Sequence, residues 1–544
     1  VDRREPQPIV RTWLIIAFCL AILAALVVGA LELRSRLLAS RAATAHTAAT
    51  PAEERKERAR AVFLVAPGPI PLGLPLLGPD GVDSDGYPTR YVDRVGLRSL
   101  LVSHKYKELT SYFEQFEDAF EADPRKEYWP IDAGDSFASA EAELANELDA
   151  WVAATPGSFA PYFARGAHRH ARMWAMRGAK YVSETPGSDM REMRRYADRA
   201  LEDLDKAISL RPKLVAAMRL EINVAMAAGP RERREDMRDR GLDACPPCFQ
   251  LRAAFLVGQT PRWGGSYDAM DAFVKTAPVA KYPRLRALAG FADMDRAQLL
   301  RMDKKYEDSL AALDRAGAAG AYWSFLYERA LDLDLLKRTA EALDALNRAD
   351  ALKPMEPDIL VERAYVERER EDYLAAGKDL LMALRISPSN VDAKKDLAWV
   401  LWGVVEAAQR LEKGGQHEAA LQAAELGLEL GPVDPHAHQV YSAIALGDAT
   451  TPERVAALQR RVSENPGDFR AVQQLDYALS RDRRFADILP LWTAYLALHP
   501  DDGRAHMERA GTYHQLGKAA EDHADLARAC ELGVSEGCVR LGQR

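Results

Sequence analysis

The chain has no surplus of positive charge: 73 Lys and Arg stand against 81 Asp and Glu, a net charge of −8 over 544 residues. A dedicated nucleic-acid binder carries a basic footprint, so this balance argues against one. The signatures of several chemistries are also missing. HExxH does not occur, which removes the zinc-protease helix, and the one GxSxG match, at 533–537, falls in the turn "ELGVSEG" rather than after a strand, so it does not make a nucleophile elbow. The eleven histidines are scattered, and the pairs His168/His170 and His436/His438 are each two apart. On a helix that spacing turns the rings to different faces rather than toward one metal. Strand-like alternation is absent as well. These absences predict a chain with no catalytic residues, no cofactor, no metal and no small-molecule substrate. Disorder is excluded by composition, since 48% of residues are hydrophobic and 28% charged. The length exceeds one compact core, so several domains or an elongated array must accommodate it.

One long hydrophobic run is present. "TWLIIAFCLAILAALVVGAL", residues 12–31, carries no charge over 20 residues, enough for a helix to cross a bilayer. A cleaved signal would have a shorter apolar core and a small-residue cleavage site, and only "VVGA" resembles one. An uncleaved single-pass anchor over 12–32 is therefore expected, after a short tail at 1–11. Arginines flank the run on both sides, so the positive-inside rule does not set its orientation. Residues 33–89 are Ala-, Pro- and Gly-rich and read as a linker. Within them "DSDG" lacks the acidic ligands of a calcium loop and reads as an Asp/Gly turn.

The rest reads as paired helices. Ala342 and Ala376, Ala349 and Ala383, and Pro354 and Pro388 are each 34 apart. Pro212 to Pro246, Pro432 to Pro466 and Pro466 to Pro500 repeat that interval, while Pro388 to Pro432 is ten residues longer. A fixed period of this kind marks stacked helix-turn-helix units. The alanines let helices approach closely, and proline ends the second helix of each pair.

The period and the Ala…Ala…Pro placement resemble the tetratricopeptide repeat over roughly residues 190–544. "PRWGGSY", "EYWPIDAGDSF" (127–137) and "FAPYFARG" (159–166) resemble an uncharacterised bacterial domain family of degenerate helical repeats, over roughly 90–340. "ARACELGVSEGCVRLG" resembles the Sel1-like cysteine-rich repeats, in which two cysteines eight apart bridge one helix to the next. Together these imply an all-α fold: an α-solenoid behind one transmembrane helix, divided into 90–320 and 321–544. The Sel1-like resemblance implies a Cys530–Cys538 disulfide, worth about 2–3 kcal/mol if unstrained. Disulfides persist in oxidising compartments, so an inner-membrane protein with a periplasmic ectodomain is expected.

Cys245 and Cys248, in "CPPC", admit three readings: a disulfide, free thiols, or a redox or metal pair. The motif follows a helix at a repeat boundary, and no second Cys or His pair lies near it in sequence. "TPRWGGSYDAM", residues 260–270, poses a similar choice. It lacks the Lys-Ser/Thr of a phosphate loop and the strand of a dinucleotide fingerprint, so the two glycines read as a turn with Ser266 as the next N-cap. A ligand contact by Arg262 or Trp263 is the competing reading.

Binding residues follow from the repeat frame. The resemblance implies that positions 2, 5, 9 and 12 of each first helix line a concave groove for peptides. With repeat starts at 323, 357, 391, 469 and 503, these include Tyr327, Tyr365, Arg368, Lys395, Trp399, Trp402, Gln473, Tyr477, Met507 and His514. Aromatics beside cations make interface hot spots, and acidic partner groups would pair with Arg368 and Lys395. Trp399 and Trp402 could instead pack the core of the expanded repeat. Arg165, Arg169 and Arg172 share a helix face that could dock an acidic tail, or be an ordinary solvated face. The expected function is a membrane-anchored scaffold that binds a protein or peptide and no nucleic acid. The alternatives are an immunity-type inhibitor of one enzyme, or a hydrolase with a site in 90–190.

Overall fold

The computed structural model describes residues 75–178, 185–432, 434–446, 452–532, 534, 536–537 and 540–541. The apolar run 12–31 and Cys538 lie outside them. No helix among the described residues is long and apolar enough to cross a membrane.

The proline spacing becomes a structural rule. Helices end at Leu210, Ala244, Leu352, Ile386, Leu430, Glu464 and Leu498, each two residues before one of the periodic prolines. With no N–H and a ring that obstructs the preceding turn, proline cannot extend the ladder. The first helices of the pairs begin where the frame predicts: Trp323–Leu335, Pro357–Glu369, Val391–Lys413, Phe469–Arg481 and Gly503–Gln515. Asn390, Asp468 and Asp502 cap three of them, each accepting the backbone N–H three residues on. Ala342, Ala349, Ala376 and Ala383 have no exposed surface, as close helix packing requires. The turn inside successive pairs holds one residue in the left-handed region: Lys304, Lys337, Glu371, Gly415, Arg483 and Gly517.

The ten extra residues lengthen one helix rather than a loop. Val391–Lys413 has 23 residues, against 13 for Pro357–Glu369 and for Phe469–Arg481.

The N-terminal part departs from the linker expectation. Leu76–Leu77 pairs antiparallel with Tyr91–Val92, and this hairpin buries Leu76, Tyr87 and Val92. Composition alone hid this, because turn residues outnumber the few apolar anchors. Asp83 in "DSDG" accepts the N–H groups of Asp85 and Tyr87, both at 2.9 Å, so an Asx turn forms there. Helices Arg94–Val102, Tyr106–Ala122, Tyr128–Asp135, Glu143–Ala154 and Ala160–Arg177 follow, around a core of Phe113, Phe137, Trp151 and Phe163.

This region closes onto the middle of the array. Arg94 donates to the Met355 carbonyl at 2.9 Å, Asp132 forms a buried ion pair with Lys353, and Ser389 Oγ lies 2.9 Å from the Ala140 N–H that it accepts. Val95 packs with Met355, Leu360, Ala383 and Ile386. "EYWPIDAGDSF" is the hub of these contacts. Its Glu127 accepts the Gln250 N–H at 3.1 Å, satisfying the start of helix Phe249–Val257. Asp135 pairs with Arg219 at 3.1 Å.

Candidate functional site

Two stretches of the first helices of the pairs bear the expected groove residues. The first runs over Trp323–Leu335, Pro357–Glu369 and the start of Val391–Lys413. Here the signal that the frame positions missed is acidic. Glu328, Glu362 and Asp396 are 34 apart, one residue after the position-5 sites, and Asp358 and Asp392 occupy position 2. Among the described residues, Asp358 and Glu362 have neither a hydrogen bond nor an ion pair. Asp358 is exposed at the start of its helix. Its carboxyl is pushed up by desolvation first and then by the charge of Asp392. Glu362 is raised to about 7 by burial and then by Asp334. Tyr327 is half-buried between them, its hydroxyl pushed well up by burial and then by Asp358 and Glu362.

The cations in this stretch are already engaged. Lys395 donates to Asp392 at 2.6 Å. Arg368 lies 3.7 Å from both Glu369 and Asp396, with its guanidinium over the Tyr365 ring at 4.8 Å. Lys337 is 3.6 Å from Glu369. Arg368 and Lys395 thus each have acidic neighbours within the chain.

Trp399 and Trp402 are 65% and 51% exposed, and Val391, on the same helix, is 64% exposed. The indoles do not fill the core of the expanded repeat. Only one edge of Trp402 is held, against Tyr373 with ring centres 6.3 Å apart. Residues 392, 395, 396, 399 and 402 share one helix face, so carboxylates and indoles lie side by side.

The second stretch encloses a polar cavity of about 330 Å³, lined by Gln473, Tyr441, Arg470 and Arg504 among others. Gln473 accepts from the Tyr441 hydroxyl at 3.1 Å and donates to Glu508 at 2.8 Å. Arg470 pairs with Glu418 at 2.8 Å and Arg504 with Glu429 at 3.4 Å. Tyr477 is half-buried against the Val405 cluster, Met507 is half-buried, and His514 lies exposed 3.5 Å from Asp522.

The arginine stripe is tied down within the chain. Arg165 pairs with Asp149 and Asp203 at 2.6 and 2.7 Å, and Arg169 with Asp203 at 2.6 Å. Arg172 donates to the Ala140 carbonyl at 2.8 Å and to Tyr196 at 3.0 Å. It is neither a solvated face nor a set of free cations.

The "WGGS" stretch is a turn. Gly264 has φ of +83°, and a Cβ on Gly265 would come within 2.0 Å of the Gln259 carbonyl oxygen. Ser266 accepts the Ala269 N–H at 3.1 Å. Trp263 packs edge-on to Trp174 at 6.3 Å, and Arg177 lies over both rings. Cys245 and Cys248 are disulfide-bonded, with 3% and 1% exposure, at the start of helix Phe249–Val257. That burial keeps substrate thiols away from the pair. Cys530 is also disulfide-bonded.

Carboxylates do gather in 90–190, and three of them have structural partners: Glu127 caps a helix, Asp132 meets Lys353 and Asp135 meets Arg219. No group of three or more His, Cys, Asp or Glu among the described residues could hold a metal ion.

Periodic helix pairs of this length, alanine packing and proline stops define a helical-repeat protein of the tetratricopeptide type. Residues 93–231 match a family model described as a domain of unknown function, DUF4034. No curated protein sequence matches the chain. Among solved structures it is similar to the TPR domain of P58(IPK), at 14% identity over 74% of this chain and 91% of that one, with a TM-score of 0.22. It is similar to a tetratricopeptide repeat protein from Parabacteroides merdae at 13% identity, over 47% and 99% of the two chains, with a TM-score of 0.21. Human IFIT1, solved as a dimer with PPP-AAAA, matches at 12% identity over 88% and 94%, with a TM-score of 0.21. Scores this low carry no argument, and the architecture rests on this chain's own helices.

Proposed function

We propose that the chain is a protein-binding scaffold whose inner repeat face holds a segment of a partner protein. One observation carries the reading: Trp399 and Trp402 stand open side by side on the lengthened first helix of a repeat. Exposed indoles of this kind anchor interfaces, because burying them removes a large apolar area at small entropic cost. The reading assigns the chain no catalytic step. It places the array outside the inner membrane, held by residues 12–32. The apolar run and the disulfide-bonded cysteines support that placement.

The test is affinity capture by the full chain from native membranes, with wild type and Trp399→Ala/Trp402→Ala compared by mass spectrometry. A protein retained by the wild type and lost by the folded variant is expected. Identical captures would reject the groove as the binding site.

A further inference from the structure

We infer that the stretch of groove between Asp358 and Trp402 takes an extended, arginine- or lysine-rich segment of the partner. This deepens the scaffold reading and rests on it. Two independent features meet there. The first is an uncovered aromatic face, Trp399 and Trp402, on the lengthened helix. The second is a set of carboxylates on the same side: Asp392 and Asp396 on that helix, with Asp358 and Glu362 on the one before.

Charge decides the class of occupant. Lys395 and Arg368 are held by Asp392 and Asp396, which leaves Asp358 and Glu362 unpaired among the described residues. An incoming anion meets unpaired carboxylates on this face and is repelled. An incoming guanidinium or ammonium finds both its preferred neighbours, a carboxylate and the face of an indole. It also relieves the repulsion between Asp358 and Asp392. A phosphate backbone would be repelled for the same reason that an acidic peptide is. The long period of the array suits an extended segment, because equivalent carboxylates recur on successive helices.

The experiment uses the full chain in non-ionic detergent and three labelled peptides, read by fluorescence anisotropy. One alternates arginine with glycine, one glutamate with glycine, and one serine with glycine. The arginine peptide is expected to bind, more weakly as salt is raised, and the other two are not. Asp392→Asn/Asp396→Asn and Trp399→Ser should each weaken it about tenfold. Circular dichroism confirms folding, and Asp358→Asn replaces the double variant if that unfolds. Preference for the glutamate peptide, or arginine-peptide binding untouched by these substitutions, overturns the inference. So does binding of a single-stranded oligonucleotide in competition with the arginine peptide. If no peptide binds while Trp399→Ala/Trp402→Ala still abolishes partner capture, the cationic class fails and the groove stands. If that capture survives, the groove reading itself fails.

Discussion

Glu117 should make the protein lose stability as pH rises, and replacing it by glutamine should remove that loss. Its side chain has no exposed surface, and neither carboxyl oxygen has a hydrogen-bond partner among the described residues. Arg211, the nearest opposing charge, is committed to Asp118 and Glu121, each at 2.7 Å. Burial therefore raises the carboxyl from 4.5 to about 8. A carboxyl raised in the folded state holds its proton more tightly there than in the unfolded chain. Its contribution is fully present below the unfolded value of 4.5, and it is lost as pH climbs from there to about 8. At roughly 1.4 kcal/mol per pH unit the loss reaches at most about 4–5 kcal/mol, and relaxation around the charge reduces it to about 2 kcal/mol. Glutamine keeps the shape of the protonated acid and does not titrate. In urea denaturation from pH 5 to pH 8, the midpoints of wild type and Glu117→Gln should nearly coincide at the acid end. The variant should be the more stable by about 2 kcal/mol at the alkaline end. Other raised carboxyls, Glu221 and Glu356 among them, tilt both curves equally, so the difference between them isolates Glu117. A difference that does not change with pH would refute the assignment.

Three further outcomes are expected. Glu371 and Arg483 hold left-handed backbone in exposed turns, so Glu371→Gly and Arg483→Gly should each raise the unfolding free energy by about 0.5–1 kcal/mol, read by urea denaturation. Gly265→Ala forces a Cβ onto the Gln259 carbonyl and should cost about 3 kcal/mol, seen as faster proteolysis near residue 265. Lys353→Ala strands the buried Asp132 and should cost about 3–5 kcal/mol by thermal melting, whereas Lys353→Met with Asp132→Leu should cost much less.

The repeat frame was legible to the residue because proline and alanine act locally. A missing N–H stops a helix wherever it falls, and Pro354 and Pro388 needed no tertiary context. The same holds for Ser266 and the "WGGS" turn. The lengthened helix was visible as ten extra residues, but not where they went, since a loop and a helix are equally consistent with an interval between prolines. The hub at 127–137 was not legible. Glu127, Asp132 and Asp135 look like ordinary surface charges until the fold brings Gln250, Lys353 and Arg219 to them from more than 80 residues away. The groove's sign was missed for a different reason. Arg368 and Lys395 stood out as cations, while the acidic positions 328, 362 and 396 resembled any solvated helix face until their common spacing was set beside the exposed indoles.

An array whose repeats touch only their neighbours behaves as a spring, stretching and fraying one unit at a time. Here the beginning of the described chain is pinned to Lys353, Met355 and Ser389, so the stretch between is a loop of spring with both ends fastened. It cannot lengthen by small adjustments summed over its repeats. The helices bearing Asp358, Glu362 and Trp399 leave that fastening directly, and their spacing is fixed before any partner arrives. The pairs from residue 469 onward lie beyond it, tied instead to Glu418 and Glu429 through Arg470 and Arg504. The fastened stretch thus ends close to where the open indoles begin.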